Sequence, residues 1–164
     1  DPRRFGCILL VSHNPEQHTL LASLGPEPLG NHFTGQWLKQ TAQKRRVAVK
    51  NFIMNAQVVV GVGNIYAAEA LLRAGINPKR DATRISLQRY QILAESIKNV
   101  LSEASDAGGT TLRDFSQSDG KPGYFKQQLN VYGRDGRACV QCGHRIYKAR
   151  ISQRSSYYCP QCQH

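Results

Sequence analysis

No stretch of this 164-residue sequence approaches the roughly 18 consecutive apolar residues of a membrane-spanning helix. The chain opens on Asp1-Pro2-Arg3-Arg4, with neither a starting Met nor the apolar segment of a signal peptide, and reads as a piece of something longer. It has no internal repeat and no low-complexity tract, which sets repeat architectures aside. Acidic residues are scarce: 11 Asp and Glu stand against 22 Lys and Arg, for a formal net charge of +11 and a pI near 9.8. What remains is 40% hydrophobic, enough for one domain of ordinary size with a small appendage.

The positive charge sits in two blocks. Residues 39–50 hold Lys39, Lys44, Arg45, Arg46 and Lys50 with no acid. Residues 121–164 hold eight basic residues against Asp135 alone. Residues 51–120 balance. Basic blocks are often only solvated faces. Charge concentrated in this way also favours a polyanion through counterion release.

Local patterns divide the chain. Residues 6–11 form an apolar run of strand length, with nothing nearby to pair it. Two prolines and two glycines over residues 24–30 mark a stiff turn, and a boundary is placed near residue 25. Thr34 is placed to cap a helix through Trp37, and a second apolar segment spans Val47 to Met54. Asn64 reads as the N-cap of a helix over Ile65–Arg73, which Gly75 stops. Ser86 reads as the cap of a long helix to about Glu103. The Gly- and Pro-rich polar residues 116–124 read as a mobile loop.

Cys139-Val140-Gln141-Cys142 and Cys159-Pro160-Gln161-Cys162 lie sixteen residues apart. Two such knuckles at this spacing are a zinc signature. Four cysteines leave no open position, so the site is structural and holds one Zn2+. Cys7 is left over and reads as a small buried residue rather than a nucleophile. Between the knuckles, residues 144–150 and 154–158 have strand content and 151–153 can turn between them. Arg154 then stands beside a hairpin tip, placed either as a surface residue or to enter a DNA groove.

In order along the chain stand Asp1-Pro2-Arg3-Arg4-Phe5-Gly6, Leu24-Gly25-Pro26-Glu27-Pro28-Leu29, Val60-Gly61-Val62-Gly63-Asn64-Ile65-Tyr66-Ala67, Gly108-Gly109-Thr110-Thr111, Ser118-Asp119-Gly120-Lys121-Pro122-Gly123-Tyr124-Phe125, Val131-Tyr132-Gly133-Arg134 and the Cys pairs. Gly61-Val62-Gly63 alone is no nucleotide fingerprint, because Tyr66 stands where a glycine would be needed. Together the seven motifs resemble the bacterial formamidopyrimidine-DNA glycosylases, DNA-repair enzymes that remove 8-oxoguanine and ring-opened purines. The resemblance covers essentially the whole chain. It implies a mainly α fold with a small β zinc finger. Residues 1–24 would be a remnant of an N-terminal β-sandwich lobe. Residues 25–134 would be a helix–two-turn–helix domain, and 135–164 the zinc finger.

The resemblance also implies roles. A glycosylase must flip its target base out of the stack. Arg3 and Phe5 would fill the vacated space. Lys50 and Asn64 would hold phosphates of the kinked strand, with Arg46 a weaker candidate. Arg154 would contact phosphates at the lesion and support elimination. Ser116, Gln117, Ser118, Asp119, Gly120, Lys121, Pro122, Gly123 and Tyr124 would close over the flipped base. Tyr132 would either line the DNA or pack in the core. The partner would be double-stranded DNA with oxidised purines or abasic sites, the protein a monomer without membrane association, and the place the bacterial cytoplasm. The family's nucleophile is an N-terminal proline followed by glutamate, supported by a lysine of the first lobe. Pro2 is followed by Arg3 and lies within another motif, so the chain as written is expected to be catalytically incompetent. Two alternatives stand beside this reading: the related endonuclease for oxidised pyrimidines, and a zinc-finger DNA-binding protein without catalysis.

Overall fold

Thr34 is extended and its hydroxyl accepts the Trp37 N–H at 3.1 Å. This caps the first helix, α1 (Gly35–Ala42), as the sequence predicts. The computed structural model describes residues 8, 10, 14–108 and 129–164. The strand expected over 6–11 lies mostly outside the described residues, and Arg3, Phe5, Cys7 and the loop 116–124 lie wholly outside them.

Three further helices follow: α2 (Val49–Ile53), α3 (Asn64–Arg73) and α4 (Leu87–Asp106). Gly75 has φ +65°. Its N–H donates to Leu72 and that of Ile76 to Leu71, both at 3.0 Å, so the left-handed turn closes α3 as a Schellman motif. Ser86 caps α4 through the Arg89 N–H. The helix runs three residues past the expected Glu103, because Ala104 is still buried on the core side and no Gly or Pro intervenes before Gly108.

Asn64 is not the cap expected of it. Gly63 occupies that position without any side-chain cap, and Asn64 is the first helical residue. Its amide is drawn away to Ser155 and Tyr132.

Phe33, Leu38, Phe52, Ile53, Leu71, Tyr90, Leu93, Ile97 and Val100 form the main core. Burial of these side chains is the dominant stabilising contribution to the helical unit. At Gly35 a Cβ would stand 2.5 Å from the backbone of Gln91, so α1 and α4 meet backbone to backbone. A second cluster joins Ala68 and Leu72 of α3 to Val131, Cys139, Ile146 and Cys159.

The chain ends in an antiparallel hairpin of β1 (Tyr147–Ile151) and β2 (Arg154–Tyr158). β1 starts three residues later than expected, because His144 and Arg145 instead face the Cys139 turn. Ile151 belongs to the strand, which leaves a two-residue loop of Ser152 and Gln153, both at positive φ. Among the described residues no helix is long and apolar enough to cross a membrane.

Candidate metal centre and nucleic-acid interface

The four cysteine sulfurs Sγ of Cys139, Cys142, Cys159 and Cys162 lie within 4.8 Å of one another. Two of the separations are 3.9 Å (Cys139 to Cys162) and 3.5 Å (Cys142 to Cys159). A tetrahedral zinc with bonds of about 2.3 Å requires sulfur separations of about 3.8 Å. The two knuckles turn alike. The Gly143 N–H donates to Cys139 and the Gln163 N–H to Cys159, at 2.9 and 3.0 Å. Crowding raises the Cys162 thiol, first through its contact with Cys142 and then through burial. Four thiolates become compatible once a divalent cation replaces their protons. The donor set therefore fits one structural zinc, and the sequence expectation holds.

The hairpin is docked on the helical domain by its own register. With a two-residue loop, Ile151 and Arg154 close the ladder, and the next pair, Arg150 and Ser155, turns its backbone groups outward. The outward carbonyl of Ser155 is where two helices converge. Lys50 of α2 donates its Nζ to Ser155 O at 2.9 Å and to Ser156 Oγ at 2.7 Å. Asn64 of α3 donates Nδ2 to the same carbonyl and to Tyr132 Oη, each at 3.3 Å. Lys50 is only 1% exposed. Burial, and then the charge of Arg154, pushes its pKa down to about 8. Arg154 itself is exposed at the start of β2. Thus Lys50 and Asn64, separated in sequence, meet on one carbonyl, and Arg154, the residue before it, acts on Lys50 through its charge. The Oδ1 of Asn64 is buried with no hydrogen-bond partner.

Arg46 is exposed. It acts on Asp81, whose carboxyl is held below the usual range first by the Thr83 hydroxyl and N–H and, less strongly, by Arg84 and Arg46. Tyr132 packs edge-on against Tyr157, with ring centroids 5.0 Å apart, while its hydroxyl reaches Asn64. It therefore serves both packing and the cluster.

Three positioning residues escape sequence reasoning. Glu69 on α3 is 1% exposed, and its carboxylate accepts the backbone N–H groups of Asn130, Val131 and Tyr132 at 2.9–3.0 Å. This fixes Tyr132; the available signal was an acid set among the apolar residues of α3. Asn51 donates Nδ2 to Ser152 Oγ at 2.6 Å and holds the hairpin tip. Gln163 is 1% exposed, accepts the Cys159 N–H at 2.8 Å and donates to Ile76 O at 2.9 Å. No local pattern announces these last two.

A helical domain carrying a four-cysteine zinc hairpin, with basic and amide groups converging at their junction, defines a zinc-finger protein of the helix–two-turn–helix class. Residues 24–116 match the formamidopyrimidine-DNA glycosylase H2TH domain, and residues 136–164 match the zinc finger found in FPG and IleRS. The chain belongs to the formamidopyrimidine-DNA glycosylase family. It is 58% identical over 163 residues to the formamidopyrimidine-DNA glycosylase of Syntrophotalea carbinolica and 60% identical over 163 residues to that of Alcanivorax borkumensis. Each alignment covers 99% of this chain and 60% of the relative, so the chain spans about three-fifths of their length. The crystal structure of MutM (FPG) from Thermus thermophilus superposes with a TM-score of 0.91 at 37% identity, covering 99% of this chain and 62% of that one. Lactococcus lactis Fpg in complex with abasic-site DNA gives a TM-score of 0.81 at 31% identity, covering 88% and 53%.

Proposed function

We propose that this chain is the DNA-holding part of a base-excision repair glycosylase for oxidised purines, 8-oxoguanine and formamidopyrimidines. The intact enzyme would then cut the abasic strand by β- and δ-elimination from a Schiff base on its N-terminal proline. The observation that carries the reading is the meeting of Lys50 and Asn64 on Ser155 O beside Arg154. Three donors from three elements, with like charges held close, call for an anionic oxygen between them. The Lactococcus lactis relative is known with DNA carrying an abasic site and with DNA carrying Fapy-dG.

In this reading Lys50, Asn64 and Arg154 hold phosphates flanking the lesion, and Arg154 supports elimination. Arg46 reaches a neighbouring phosphate. Arg3 and Phe5 fill the gap left by the flipped base, and residues 116–124 cover it. Residues 1–24, 25–134 and 135–164 act as lobe remnant, helical domain and zinc finger. The protein works as a monomer on chromosomal DNA in the bacterial cytoplasm.

The test is binding to a duplex with an abasic-site analogue at 50 and 200 mM salt. With roughly four phosphates neutralised, affinity falls by about two decades across that range. Lys50→Ala and Arg154→Ala each flatten the log–log slope by about 0.9, and Asn64→Ala lowers affinity with little change of slope. On an 8-oxoguanine duplex, a polypeptide of these 164 residues leaves the strand uncut and forms no borohydride-trapped adduct, because this reading places the nucleophile outside these residues. Tight binding with a flat salt profile, or lesion-specific nicking, would contradict the reading.

A further inference from the structure

The hairpin has a second face, on which the only side chain touching the cluster is that of Tyr157, packed against Tyr132. The register places Lys148, Arg150, Ser155 and Tyr157 on one side and Ala149, Ile151, Arg154 and Ser156 on the other. The latter side meets the helical domain, where Ser156 is buried against Lys50. The former opens on a cavity of about 370 Å³ lined by Lys148, Ala149, Arg150, Gln153 and Ser155.

Its lining holds two cations and no acid. The ion pairs found among the described residues, Arg73–Glu103 and Lys98–Glu95, lie in the helical domain. Neither Lys148 nor Arg150 is neutralised by a carboxylate there. Each is steadied by a neutral neighbour instead. The Lys148 ammonium stands 5.8 Å from the Tyr157 ring centroid, and Arg150 Nη2 donates to Gln153 Oε1 at 2.7 Å. Both retain spare donors. The pairs 148/157 and 150/155 are also the outward pairs of the ladder, so the main-chain N–H groups of Lys148 and Arg150 point away from β2. Ser155 is common to this cavity and to the carbonyl that receives Lys50 and Asn64, so the two sites adjoin.

We propose that this cavity is a second backbone-phosphate site, with Lys148 and Arg150 as its ligands, next to the Lys50–Asn64–Arg154 cluster. It rests on the DNA-binding reading above and extends the contact along the same duplex. Charged residues on an edge strand also prevent edge-to-edge pairing. That role is served by charge of either sign, whereas phosphate binding requires cations.

The experiment compares the parent with Lys148→Gln/Arg150→Gln, using fluorescence anisotropy on a duplex with an abasic-site analogue at 50 and 200 mM salt. Zinc content serves as the check on folding. Loss of two phosphate contacts makes the log–log slope shallower by about 1.8, so the affinity lost between the two salts shrinks by about 12-fold. The exchange Lys148→Arg/Arg150→Lys restores the parental slope. Arg150→Gln alone, which leaves Lys148 over Tyr157, gives about half the change and serves if the double variant loses zinc. A parental slope in the Gln variants, with Lys50→Ala still shallower, overturns the second site and leaves the first standing. A flat slope in the parent defeats the DNA-binding reading itself, and the second site with it.

Discussion

Lys50 combines an ammonium with near-complete burial, and among the described residues no carboxylate pairs with it. Burying a charge without a counter-charge disfavours the protonated form, which is why its pKa drops from 10.5 to about 8. The sign of the consequence follows. Between pH 8 and 10.5 the unfolded chain holds this proton and the folded chain does not, so this group makes stability rise with pH across that window. Below pH 8 the full cost of burying the charge is present. Lys50→Met keeps the stem and removes the charge. It is expected to raise the urea midpoint at pH 7, with the gap to the parent closing by about pH 10. Every other group is common to the two proteins and cancels from the difference. A gap independent of pH would contradict the assignment. The sequence marks Lys50 as one residue of a basic block, but not as buried. Its acceptors lie 105 and 106 residues away, beyond any local pattern. Asn64 shows the converse: a residue with strong capping preference is taken from its cap by tertiary acceptors.

At the scale of elements, the knuckle spacing and the punctuation by Thr34, Gly75 and Ser86 made α1, α3, α4 and the zinc hairpin legible. Caps and metal ligands are local chemistry, and they survive in the fold. The later start of β1 and the longer α4 were not legible, because packing sets these ends. How the zinc unit attaches was hidden too. Gln163 bridges it to the turn after α3, while the His164 N–H donates to Gly75 O at 3.0 Å and the Asn77 N–H to His164 O at 3.2 Å. Gln163→Ala leaves the Cys159 N–H and the Ile76 carbonyl buried without partners. Two such groups cost about 3 kcal/mol together, readable as a lower denaturant midpoint at saturating zinc. The variant should also release zinc to a competing chelator more readily than the parent. Unchanged stability and zinc retention would show that the bridge is incidental.

Across the whole molecule, two cores divide the labour. The main core lies within the helical domain and includes no cysteine; the smaller one, with Cys139 and Cys159, joins α3 to the zinc unit. A segment as short as 135–164 has little core of its own and depends on the metal. The proposed phosphate cluster, in turn, depends on the hairpin, since Ser155, Ser156 and Arg154 all belong to β2. On the proposed function, zinc takes no part in catalysis and is still needed for the proposed DNA site. The measurement that tests this most directly is affinity for the abasic-analogue duplex before and after zinc is removed by a chelator, with far-UV circular dichroism followed in parallel. The account predicts that the helical signal largely persists while affinity and its salt slope fall to or below those of Arg154→Ala, and that added zinc restores both. Zinc-free protein that binds the duplex with parental affinity and slope would contradict it.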